Sequence, residues 1–313
     1  MGIIITESDL RKLIFQCINE ERGVYYDRKL NSKIINKLFY LVKYDCDTIP
    51  FKYGGYVYNL TVKPFFNGNF YEENSNVFAG CRRVGERIEI SINSKLLNKY
   101  RNDIKAYDNY SDFVKSQSYK DLVDKLDYVL AHELTHAQAD KWKIDADKAK
   151  GMSQIESLLS SNDEDNNTFK ENEATKLEQH TVYWFSSKER QARLSQGYVE
   201  VKRKIRSVIQ QFGNGFIDSI GVNEIFEELY NSTETNYLYK LYNQILNSAP
   251  EELNNVLTKK SAIFSPRSSD ISSEYKRLIS RLNDILEYNK KKLIKVTGMI
   301  KDELNNIKNG KRF

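Results

Sequence analysis

The chain has 313 residues, 40% of them hydrophobic and 29% charged, enough for one large core or a domain with a substantial appendage, which excludes wholesale disorder. Its formal charge of +5 sits at one end: residues 251–313 carry 14 Lys or Arg against 8 Asp or Glu, an excess of +6 that leaves residues 1–250 at −1. So mild an excess reads as a solvated helix face and does not point to nucleic acid. Cys17, Cys46 and Cys81 form no CxxC pair and are too few for a disulfide framework, so they read as reduced thiols. The N-terminal residues lack a basic n-region and a small-residue cleavage site, and no apolar run reaches membrane-spanning length. The expected location is the cytoplasm of the producing cell, with no membrane partner.

From Thr6 to about Tyr44, Leu10, Leu13, Ile14, Cys17 and Ile18, then Ile34, Ile35, Leu38, Phe39 and Val42, recur at spacings of three and four. The spacing predicts two amphipathic helices around a polar break near residues 26–31. Beyond Pro50 the period changes. Tyr56, Tyr58, Leu60 and Val62 alternate, Asn67-Gly68 supplies a turn, and Ile88, Ile90 and Ile92 alternate with Glu89 and Ser91, which predicts a small sheet. Helical spacing returns at Leu96, Leu97 and Tyr100. A longer helix is predicted from near Ser118 through Leu122, Leu126, Val129 and Leu130 to near Trp142. Residues 143–172 are polar and read as a connection, after which helix resumes over 172–185 and, past Ser186-Ser187, again from Lys188. The remainder reads as all helical and ends in a long amphipathic helix capped by Ser268-Ser269-Asp270. Asn289 and Lys292 interrupt a strict heptad there, so this helix is expected to pack on the chain's own helices.

Within the longer helix lies His132-Glu133-Leu134-Thr135-His136. Residues i and i+4 share a helix face, so both imidazoles can address one ion while Glu133 reaches the water on it. Two of the chain's three histidines fall in this one register. A catalytic zinc takes three protein ligands and keeps one position open, so a third ligand is sought downstream. Trp142 stands where a metzincin has its last histidine, which excludes that arrangement. The candidates are His180, Glu189, and the pair Glu171 and Glu173. Glu189 is preferred, because it falls in the first turn of a fresh helix and Ala192, three residues on, permits close helix approach.

HELTH followed by Glu189-Arg190-Gln191-Ala192-Arg193 resembles the zincin metallopeptidases whose third ligand is a glutamate, the gluzincins, and in particular small zinc peptidases encoded by bacteriophages and low-GC bacteria. The resemblance bears on residues 80–200. It implies an α+β fold: a zincin-like catalytic domain of helices and a small sheet over residues 1–200, followed by a largely helical region over 201–313. It implies Zn2+ held by His132, His136 and Glu189, with Glu133 as general base in peptide-bond hydrolysis and a protein or peptide as substrate. The strand Ile88 to Asn93 would then border the cleft and pair with an extended substrate. Asp140 is a candidate to orient His136, and Tyr198 or His180 to stabilise the tetrahedral intermediate. Two other readings stand beside this one. The long helical C-terminus fits a structural or assembly protein, virion-associated in one version, with partners along its helices and little or no activity. HELTH also resembles the motif of clostridial toxin light chains, although the flanking residues do not continue that likeness.

Overall fold

The computed structural model describes residues 27–64, 78–84, 87–149, 176–261 and 263–308. The protein is α+β, and the described residues form a four-stranded mixed sheet and a set of helices. It divides into two compact units, the sheet unit over residues 25–142 and a helical unit that includes residues 143–313. The expected boundary at residue 200 falls inside one helix, Ser187–Phe212.

The sheet unit opens with α1 (Arg28–Lys43). Asp27 caps it, its Oδ1 accepting from the amides of Lys29 and Leu30 at 3.0 Å each. The same carboxylate accepts from the Tyr53 hydroxyl, which fastens the helix start to the first strand. Leu30, Ile34, Ile35, Leu38, Phe39, Leu41 and Val42 face the core. The earlier predicted helix and the Asn67-Gly68 turn lie outside the described residues.

Strands β1 (Thr48–Tyr53), β2 (Tyr56–Lys63), β3 (Ala79–Val84) and β4 (Arg87–Asn93) form a sheet of order β1-β2-β4-β3. β1 and β2 are an antiparallel hairpin turning at Gly54-Gly55, both with positive φ (56° and 87°), the pairing of left-handed residues that a tight two-residue hairpin turn demands. β2 runs parallel to β4, and β3 antiparallel to it. Alternation on β2 and β4 buries Tyr58, Leu60, Ile88, Ile90 and Ile92. These side chains share one core with α1, with α2 (Ser94–Ala106), with the single turn α3 (Tyr110–Phe113) and with α4 (Gln117–Ala149). α4 runs seven residues past its expected end at Trp142. The sequence Lys143-Ile144-Asp145-Ala146-Asp147-Lys148-Ala149 is polar but holds no Gly or Pro to stop a helix.

Among the described residues the helical unit contains α5 (Lys176–Phe185), α6 (Ser187–Phe212), a 3-10 turn (Asn214–Ser219), α7 (Val222–Ser232), α8 (Thr235–Leu246), a second 3-10 turn (Pro250–Leu253), α9 (Asn254–Thr258) and α10 (Ile271–Lys308). As the broken heptad predicts, α10 packs on the unit's own helices: buried Asn289 donates through Nδ2 to Thr235 Oγ1 at 3.3 Å. Leu278, Leu282, Ile285 and Leu286 of the same helix join a core with Leu238, Leu241 and Ile245 of α8. Gly197 on α6 is a point of close approach. A Cβ there would stand 2.6 Å from Thr233 Cγ2 and 3.3 Å from Leu229 Cδ1.

Candidate metal centre

The rotation of α4 about its axis follows from its apolar stripe. Leu122, Leu126, Leu130, Leu134 and Ala137 recur every three or four residues and are all buried in the core that the sheet lines. His132 and His136 each stand two residues from Leu134, so at 3.6 residues per turn each projects about 160° away from it. Burying the leucines therefore turns both imidazoles to the side away from Leu134. His132 is 9% exposed. The two Nε2 atoms stand 3.1 Å apart, and the rings cross at 80° with centroids 4.8 Å apart. Two nitrogens bound tetrahedrally to one zinc ion stand about 3.3 Å apart, so this spacing fits a shared ion with little rearrangement. Thr135 between them turns its hydroxyl back to the Ala131 carbonyl at 2.6 Å and stays inside the helix packing.

Glu133 points toward the sheet. Its Oε2 accepts the backbone N–H of Cys81 on β3 at 3.2 Å. The register accounts for this bond. Asn93 donates its N–H to the Phe78 carbonyl, so the residues of β3 that exchange ladder bonds with β4 alternate from there, and Cys81 falls between them with its N–H turned away from β4. The expected cleft strand, Ile88 to Asn93, is β4, and it is an inner strand paired on both sides. The strand with an edge beside Glu133 is β3, which has Gly80 and two arginines and so lacks the apolar alternation that marks a strand in sequence. Burial pushes the Cys81 thiol well above its ordinary range, and the Glu133 charge adds to this.

Glu189 belongs to the helical unit. Ser186 caps α6 and its Oγ accepts the Glu189 amide at 3.2 Å, so Glu189 occupies the first turn, as the sequence predicts. The Glu189 side chain is buried, and Arg193, one turn on, donates through Nε to its Oε1 at 2.6 Å. Arg193 also donates through Nη1 to Glu234 Oε1 at 2.7 Å and lies over the Trp184 ring, 4.6 Å from its centroid. Burial alone would lower the Arg193 guanidinium; the bond to Glu189 and the charges of Glu189 and Glu234 more than reverse this. Tyr183, half exposed, was not singled out by sequence. Burial pushes its phenol up to about 12, with the Glu189 carboxylate adding to the effect, so it is a protonated donor at neutral pH. Only its spacing of six residues before Glu189 could have flagged it.

His180 shares its Nδ1 with the Tyr237 hydroxyl at 2.9 Å, within the helical unit. The Tyr198 hydroxyl donates to Glu303 Oε1 at 2.6 Å and accepts from Lys202 Nζ at 3.0 Å. Glu171, Glu173 and the Asp140 side chain lie outside the described residues. As a donor set, His132, His136 and Glu189 are a group that could hold a metal ion. Two imidazoles and a carboxylate suit zinc and other divalent first-row metals, so the donors alone do not name the metal. No family model, curated protein or solved structure matches the chain.

Proposed function

We propose that the protein is a zinc-dependent metallopeptidase of the gluzincin type, with His132, His136 and Glu189 as the ligands and Glu133 as the general base. The observation that carries this reading is the pair of Nε2 atoms 3.1 Å apart on one helix, with Glu133 between them in sequence and turned to a strand edge. Zinc would supply a water of lowered pKa and a polarised scissile carbonyl. The protein's own part is to place a carboxylate where it can take a proton from that water and give it to the leaving amine. The Cys81 N–H bond holds one Glu133 oxygen and so orients the carboxylate. β3 is an end strand of the sheet beside Glu133, and an extended peptide fits along it by strand addition.

The test compares the purified protein with Glu133→Gln for bound zinc and for cleavage of a broad peptide library. One zinc per chain in both proteins, with cleavage by the variant reduced by a factor of about 10² to 10⁴, is the expected result. Zinc without any cleavage would shift the reading to an assembly protein that keeps a metal site. A metal-free protein after purification without chelators would remove the proposal.

A further inference from the structure

The gluzincin reading leaves a question about charge: why a buried carboxylate intended for a cation should already be paired with an arginine. Arg193 is constrained from three directions. Nε donates to Glu189 Oε1 at 2.6 Å, Nη1 donates to Glu234 Oε1 at 2.7 Å, and the guanidinium lies 4.6 Å from the centre of the Trp184 ring. Two arms of a planar group fixed to separate carboxylates, with its plane over an indole, cannot swing without breaking all three contacts. Glu234 is itself held in a left-handed conformation, φ 53°, at the start of α8, and Trp184 is braced by Tyr237, their ring centroids 4.6 Å apart. The clamp thus draws on three elements of the helical unit, α5, α6 and the α7–α8 junction.

We propose that Arg193 is a positioning residue for the metal ligand: it commits one oxygen of Glu189 to the guanidinium, so that Glu189 binds the ion through a single oxygen in a fixed orientation. This rests on the gluzincin reading and adds a role for a residue outside the ligand set. Two opposite effects are at work, and they differ in sign. A guanidinium beside a ligand carboxylate repels an incoming cation, so if charge dominated, removing Arg193 would tighten zinc binding. Outer partners that orient a ligand are worth ten- to a hundredfold in metal affinity, so if orientation dominates, removing Arg193 weakens it. Orientation prevails here, because the clamp is built from fixed partners and the ligand is buried.

The experiment measures zinc affinity of the full chain by competition with a chromophoric chelator, for wild type, Arg193→Gln, Arg193→Lys, Glu234→Gln, Glu189→Ala and His136→Ala. Arg193→Gln is expected to weaken binding ten- to a hundredfold. Arg193→Lys restores part of the loss, since it keeps a charge near Glu189 but cannot bridge to Glu234 in the same geometry. Glu234→Gln, at a half-exposed residue, weakens binding a few-fold. Cobalt-substituted protein adds a signature that a purely structural role would not move: the visible ligand-field bands shift in Arg193→Gln as the carboxylate changes its mode of binding. Affinity in Arg193→Gln that equals or exceeds the wild type, while Glu189→Ala weakens binding, overturns the positioning role and leaves the metal site standing. Unchanged affinity in both Glu189→Ala and His136→Ala overturns the metal reading, and the role of Arg193 with it.

Discussion

Leu134 stands midway between the two histidines and is the residue whose burial turns them away from the core, so Leu134→Ala separates helix packing from metal binding. Its side chain is 1% exposed and shares the core with Leu130, Ile90 and Tyr58. Truncation to alanine removes three carbon groups, about 2.4 kcal/mol of transfer free energy at about 0.8 kcal/mol each. The cavity left in a sheet-backed core adds to this, for a total of about 3–4 kcal/mol. Leu134→Met, close in volume, costs less than about 1.5 kcal/mol. The assay is urea denaturation followed by far-UV circular dichroism, first with chelator and then with free zinc at a hundred times its dissociation constant. Zinc should add about 2.7 kcal/mol to the wild type and the same increment to Leu134→Ala, since the alanine keeps both imidazoles. A loss below about 1 kcal/mol in chelator would show that the face carrying Leu134 is not packed as described. A loss of the full expected size without the zinc increment would show that the histidine pair depends on more than helix rotation.

Two further results follow from the packing and the titrating groups. Gly197→Ala should destabilise the helical unit by about 1–3 kcal/mol in the same assay, because the new Cβ meets Thr233 at 2.6 Å and the Thr233 hydroxyl is bonded to Leu229 and Tyr230 carbonyls and to Thr235. Equal stability would mean that α6 and α7 can separate at no cost. Stability should fall as the pH rises above about 10, since burial raises Tyr53, Tyr58 and Tyr110 well above the ordinary tyrosine value while the unfolded chain ionises near pH 10. A raised folded pKa contributes stability below the unfolded value, and that contribution is lost as the pH climbs through the folded one. Urea midpoints that are the same at pH 8 and pH 11 would contradict this.

The elements legible in the sequence are those whose signal is local. α1, β2, β4, α2, α4 and α10 carry their own apolar period, and the period on α4 also fixes which face holds His132 and His136. Ser186 before Glu189 announces a helix start within three residues, so the first-turn position of Glu189 is equally readable. β1 and β3 escape because they are edge strands, one with Pro50 and the other with Gly80 and two arginines, and an edge needs no two-sided apolar pattern.

Sequence by itself named the candidate donors and a candidate base, and determined that two imidazoles share a helix face. Tertiary structure alone decided the rest. β4 lost its expected place at a cleft because β3 pairs on its outer side, and pairing partners are set by the register between strands, not by either strand's composition. Tyr198 meets Glu303, 105 residues away, through its hydroxyl. Arg193 gained a part because Glu234, 41 residues on, and Trp184 meet its guanidinium. Hydrogen bonds and ring contacts between residues so far apart in sequence exist only once helices pack, and no local period encodes them.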